Sequence, residues 1–296
     1  MKAFKFLSNT ALVFSLVLLA SCSSNDDFEE TGNKKQKLEF KAVIESSDVT
    51  RATLESDYSV SWDENDEISV FCDNAEDSQA FGVTPSSTDG KTATFTNYGE
   101  QLPLWFEPNE SYYALYPKAS ATFNVNSASI TATLPTNQIV SSGRTYDKKA
   151  LFMAACANME ERIFKFKNIT ALVKVTVSNN AAGKVRFIEI ESKNTANILS
   201  GNFEVSPSYY DNNNLTIRSI SGADKKHTVK LSIPAIEKAQ DFYLAVIPGR
   251  VEGLTLKFED GKSAVLAQHG SDKSVEFKRS KIYDFGSYDI ENEVKE

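Results

Sequence analysis

From Leu38 the chain takes up an alternating pattern. Leu38, Phe40, Ala42 and Ile44 fall on one side of an extended backbone, while Glu39, Lys41 and Glu45 fall mostly on the other, as in a half-buried strand. Beyond it no stretch keeps helical spacing long enough for a major helix. Short β-favouring runs recur instead, each ended by Gly, Pro, Asn or Asp. Tyr58, Val60 and Trp62 alternate, and Ile68 to Phe71 follows the acidic turn Asp63-Glu64-Asn65-Asp66-Glu67. Asp89-Gly90 ahead of Lys91 to Phe95 reads as a hairpin turn, because both positions tolerate positive φ. Residues 111–116, 121–125, 129–134 and 151–155 continue the series. Such spacing predicts a sandwich or barrel.

A second series begins near Arg162. Ala171, Val173, Val175 and Val177 share a face, as do Val229, Leu231 and Ile233, and Leu254, Leu256 and Phe258. Phe242 to Ile247 is apolar on both sides, which predicts a central strand. Asp260-Gly261-Lys262-Ser263-Ala264 echoes Asp89-Gly90-Lys91-Thr92-Ala93. With the charged Glu160-Glu161-Arg162 break, this divides the fold into residues 38–160 and 161–296.

The first residues follow other rules. Lys2 and Lys5 precede the apolar run Ala11 to Ala20, which is too short to span a bilayer and matches a secretion signal. It ends Leu19-Ala20-Ser21-Cys22, as bacterial lipoprotein signals do, where the modifying enzyme needs a thiol and the peptidase cuts just before it. Cys22 is thus expected to be a diacylated N-terminus after residues 1–21 are removed. The polar, aperiodic residues 22–37 read as a flexible linker. Its acids, Asp26, Asp27, Glu29 and Glu30, fit either a signal for the outer face of the outer membrane or a solvated tether.

A net charge of −8 argues against nucleic acid as a partner. A hydrophobic share of 41% supports real cores. Cys72 and Cys156 sit inside apolar runs, where buried free thiols are favoured over a disulfide. No nucleophile elbow, P-loop or dinucleotide fingerprint is present. His227 and His269 lie far apart, so no multi-histidine metal site is expected, nor any cofactor besides the lipid. The Asp63 to Glu67 turn has Ile68 where a calcium loop needs glycine, and reads as a solvated turn. Its adjacent acids lack a glycosidase's fixed separation. Trp105, Phe106, Tyr112, Tyr113, Tyr209 and Tyr210 would stack on sugars if exposed; core or rim is the expected use.

Taken together, these pieces resemble the fimbrillin family, lipoprotein subunits of type V pili. The resemblance rests on Cys22 and its preceding box, Thr50-Arg51-Ala52-Thr53-Leu54, and Trp62-Asp63-Glu64-Asn65-Asp66-Glu67-Ile68-Ser69-Val70-Phe71. It extends through Ala93-Thr94-Phe95-Thr96, Tyr113-Ala114-Leu115-Tyr116-Pro117, Leu134-Pro135-Thr136-Asn137-Gln138, Phe242 to Gly249 and Lys281-Ile282-Tyr283-Asp284-Phe285. It implies an all-β fold of two transthyretin-like sandwiches in tandem and no enzymatic activity. It also implies cleavage by a trypsin-like protease after Arg51, removal of the strand bearing Leu38, Phe40, Ala42 and Ile44, and its replacement by a neighbouring subunit. The residues alone fit a permanent first strand equally well. The implied partners are other pilus subunits, the outer membrane through the lipid, and a host protein or glycan; the implied location is the cell surface or fimbrium. The charged ending Glu291 to Glu296 departs from an apolar donor strand and favours a tip or anchor role over a stalk. A second reading is a surface glycan-binding lipoprotein of a polysaccharide-uptake system.

Overall fold

The computed structural model describes residues 38–44, 61–85, 90–97, 106, 109–208, 215–219, 225–259, 264–268 and 274–289. All of these lie in one unit, Lys37–Glu296. They are strands and turns, with one short 3-10 turn at Lys148–Ala150. The lipidation candidate Cys22, the cleavage candidate Arg51, residues 1–37, His269, Trp105, Tyr209, Tyr210 and the charged ending fall outside them.

Seven strands close on themselves: β1 (Glu39–Ile44), β10 (Ile163–Asn168), β9 (Met153–Asn158), β5 (Ser111–Tyr116), β2 (Glu67–Cys72), β3 (Ala75–Pro85) and β4 (Thr92–Asn97), which returns to β1. Closure leaves no free edge in this sheet. Its interior holds Leu38, Phe40, Ala42, Ile44, Trp62, Ile68, Val70, Phe81, Phe95, Phe106, Tyr112, Phe164 and Phe166, among others. Pairing continues across residue 160, since β10 joins β1 and β9. The β3–β4 hairpin sets Pro85 opposite Ala93, so the Asp89-Gly90 pair lies within a longer connection than the two-residue turn expected. Gly90 is still needed: its φ is +65°, and a Cβ there would stand 2.7 Å from the Ser61 Cβ.

The second half packs a three-stranded sheet against a five-stranded one. The first runs β16 (Gln240–Val246), β11 (Ala171–Val177), β21 (Ile282–Tyr288). The second runs β19 (Ala264–Gln268), β18 (Leu254–Glu259), β12 (Phe187–Ser192), β15 (Thr228–Ser232), β8 (Asn137–Ile139). The predicted stripes Ala171/Val173/Val175/Val177, Val229/Leu231/Ile233 and Leu254/Leu256/Phe258 meet in one core between them. A two-stranded ribbon, β17 (Gly249–Glu252) with β20 (Ser274–Phe277), adds Val251 and Phe277 to that core.

A four-stranded sheet joins the halves. It takes β6 (Thr122–Asn124) and β7 (Ser129–Leu134) from the first series, and β13 (Gly201–Pro207) and β14 (Leu215–Ser219) from the second. Phe123, Ile130, Ala132, Leu134, Phe203 and Val205 cover Phe71, Leu115 and Ala154 of the closed sheet, and also Ala245 and Ile247. This third core explains why residues 242–247 are apolar on both faces. Phe242, Leu244 and Val246 serve the core between the two sheets, and Ala245 and Ile247 serve the joining one.

The same strand corrects an expectation. Although buried on both faces, β16 is the end strand of its ladder, not a central one. Its free edge is met by a side chain: the wholly buried Gln138 donates from Nε2 to the Ala245 carbonyl at 2.8 Å and accepts from its N–H at 3.0 Å. The Tyr243 N–H donates to the Thr145 carbonyl at 2.9 Å. Buried backbone groups need partners, and one amide takes the place of a strand.

Candidate functional site

The strongest candidate is β1 and the channel it fills. The strand pairs antiparallel with β4, placing Phe40 beside Phe95 and Ala42 beside Ala93, and parallel with β10, placing Ala42 beside Phe164 and Ile44 beside Phe166. Its four inward residues are at most 5% exposed. Phe40 lies in an aromatic cage, stacked on Phe164 at 4.6 Å between ring centres and meeting the edges or faces of Tyr112 at 5.0 Å and Phe81 at 5.4 Å. The register is pinned at both ends. The Leu38 N–H donates to Oδ1 of buried Asn97 at 3.2 Å, and the Ile44 N–H to the Lys91 carbonyl at 3.0 Å.

Trp62 belongs to the same buried cluster. Its ring stands edge-on to Phe95 on β4, Phe166 on β10 and Tyr116 on β5. Its indole N–H is buried without an acceptor, and its backbone N–H donates to the Gly90 carbonyl at 2.8 Å. The family-type sequence beginning at Trp62 therefore borders the groove, which spacing alone did not reveal.

In the acidic turn that follows, Glu64 and Asn65 are exposed as a solvated turn requires, but Asp63 and Asp66 are tied to the body. Asp66 is 6% exposed; it accepts from the Tyr116 hydroxyl at 3.1 Å and pairs with Lys148 at 2.7 Å. Asp63 pairs with both Arg144 and Lys148. Burial alone would raise the Asp63 pKa, but the two cations hold it below its ordinary value. Burial, then the Asp66 carboxylate, pushes the Tyr116 hydroxyl far upward, so it stays a donor. These carboxylates neutralise the segment that carries Lys148. The sequence marks them only as acids in a turn, since their cations lie some eighty positions away. Among the described residues no group of three or more His, Cys, Asp or Glu is placed to hold a metal ion.

Other candidates disperse. Cys72 and Cys156 are buried and not joined in a disulfide, and burial raises the Cys156 pKa to about 11. Phe106 and Tyr112 are wholly buried in the closed sheet, and Tyr113 packs on Phe123 at 4.8 Å, so these three form no exposed sugar platform. His227 stands 3.6 Å from Glu191 on the five-stranded sheet, away from β1.

The described residues are all-β, and the most developed site among them is a strand held in an aromatic channel. The chain belongs to the fimbrillin-like family, whose model matches residues 50–288. It is accordingly a pilus or adhesion subunit of the cell surface. No curated protein matches it. Among solved structures, it is similar to a candidate cell adhesion protein from Bacteroides uniformis, at 14% identity over 84% of this chain and 93% of that one, with a TM-score of 0.48. A second, from Bacteroides ovatus, shares 14% identity over 86% and 92%, with a TM-score of 0.49.

Proposed function

We infer that the protein is a non-enzymatic, lipid-anchored pilus subunit of tip or anchor type that assembles by protease-triggered strand exchange. Diacylated Cys22 holds the precursor in the outer membrane, and two tandem domains follow the linker. A trypsin-like protease cuts after Arg51, between the end of β1 and Ser61. Residues 22–51, β1 included, then leave with the lipid, and a neighbouring subunit lays a strand into the vacated channel.

One observation carries this reading: β1 is paired on both edges, to β4 and β10, with its inward side chains buried, yet it lies outside the matched range, which begins at residue 50. Its departure would expose the facing backbone groups of β4 and β10 with the pockets of Leu38, Phe40 and Ile44. Fully burying each such side chain is worth roughly 1.5–3 kcal/mol, and augmentation by an alternating strand restores both terms.

The test is Arg51→Ala in cells. Loss of SDS-resistant ladders and retention of residues 22–51 on the mature chain are expected. Ladders that persist at wild-type level would remove the cleavage step.

A further inference from the structure

The channel of β1 sets strict demands on whatever fills it, which deepens the strand-exchange reading and rests on it. Along the strand, the inward positions run large aliphatic, aromatic, small, β-branched. The aromatic position is fixed by the three rings around Phe40. The small one follows because Ala42 stands between Ala93 and Phe164, and the Phe164 ring is already stacked on the neighbouring Phe40. The β-branched position, Ile44, lies beside Phe166, whose ring also meets Trp62. Asn97 requires a backbone N–H at the Leu38 position, so proline is barred there.

Within this chain the natural competitor is β21. It pairs with β11 alone, and among the described residues no strand lies on its other edge, so it is the end strand a second copy could most readily lend. In one frame it offers Tyr283, Phe285 and Ser287, which suit the first three positions, and then Asp289 where Ile44 is 5% exposed. In the other frame, Ile282 is followed by Asp284 at the aromatic position. Each frame drives a carboxylate into the apolar channel, and an unpaired buried charge is strongly disfavoured.

We propose that the channel of β1 is built to receive a strand from a subunit of different sequence, patterned large aliphatic, aromatic, small, β-branched at alternate positions, and that it rejects the β21 strand of a second copy. Assembly at this site is heterotypic, and the small position discriminates between donors as sharply as the aromatic one.

Labelled peptides added to the mature chain cut after Arg51 test this. A peptide of residues 37–45 should bind and displace the native segment. Its Ala42→Phe version should bind about 10- to 100-fold more weakly, from overpacking, and its Ile44→Asp version on the order of 100-fold more weakly. A peptide of residues 281–290 should show no binding at concentrations that saturate the first. Equal binding of the Ala42→Phe peptide, or saturable binding of the 281–290 peptide, would overturn the proposal. Failure of the 37–45 peptide itself to enter the cut protein would instead overturn strand exchange, and this proposal with it.

Discussion

Two parallel pairs, β1 with β10 and β21 with β11, behave differently. In the first half β1 lies along β10 with β4 on its other side, its inner face locked among rings. In the second, β21 lies along β11 with a bulge between Lys174 and Thr176, and only Phe285 among its side chains of known exposure is buried. Strand order alone would make the two terminal strands equivalent. What separates them is the number of faces and edges each has satisfied: β1 cannot leave without a replacement, whereas β21 rests on its sheet at modest cost.

The largest expected effect tests that asymmetry directly. Phe40→Ala leaves a cavity among Phe81, Tyr112 and Phe164 and should destabilise the mature chain by about 3–5 kcal/mol. Phe285→Ala, at the edge with room to relax, should cost less than half of that. Urea midpoints of the two variants measure the difference. Equal shifts would mean that β1 is no more integral than β21.

Much of this was legible in the chain. Leu38 to Ile44 reads as a strand with the correct inward face because its alternation is local, and the stripe Ala171 to Val177 does so for the same reason. Double-sided apolarity at 242–247 was legible too, but its meaning was not. The eye assigns it to a central strand, while here it marks an end strand wedged between two cores. The partner that seals the edge, Gln138, lies more than a hundred residues away, and one polar residue after Leu134-Pro135 carries no signature of that role. The same distance hides the clasp of Asp63 and Asp66 on Lys148. Residues 22–37 and Arg51 were legible only as motifs.

Gln138 gives the intermediate effect and sharpens the comparison from the other side, since it seals the far edge of the very sheet that β21 ends. Gln138→Ala strips both partners from the buried Ala245 backbone and should cost about 2–4 kcal/mol, because each orphaned group carries its own desolvation penalty. Amide exchange should quicken along Gln240–Val246 and leave Glu39–Ile44 protected. Faster exchange confined to β1 would contradict the edge assignment.

The smallest effect concerns how β21 is held. Lys174 on β11 reaches Asp241 on β16 at 3.3 Å and Asp284 on β21 at 3.0 Å, tying all three strands on the outer face. Burial alone would raise the Asp284 pKa, but the Gly286 N–H and the Lys174 ammonium together hold it below its ordinary 3.8. A carboxylate whose folded pKa is depressed contributes stability that is fully present above the unfolded value and disappears as pH falls through the folded one. Acid below about pH 4 should therefore loosen Ile282–Tyr288 while the seat of Phe40, formed by Phe81, Tyr112 and Phe164 with no carboxylate among them, stays closed. Asp63 is held low as well, so the turn before β2 responds in the same window and must be followed separately. Asp284→Asn should remove the acid response of β21 and lower stability at neutral pH by only about 0.2–1 kcal/mol, as for other half-exposed pairs. Exchange at residues 282–288 that keeps its full acid dependence in this variant would show that the strand is held by Phe285 and its backbone alone.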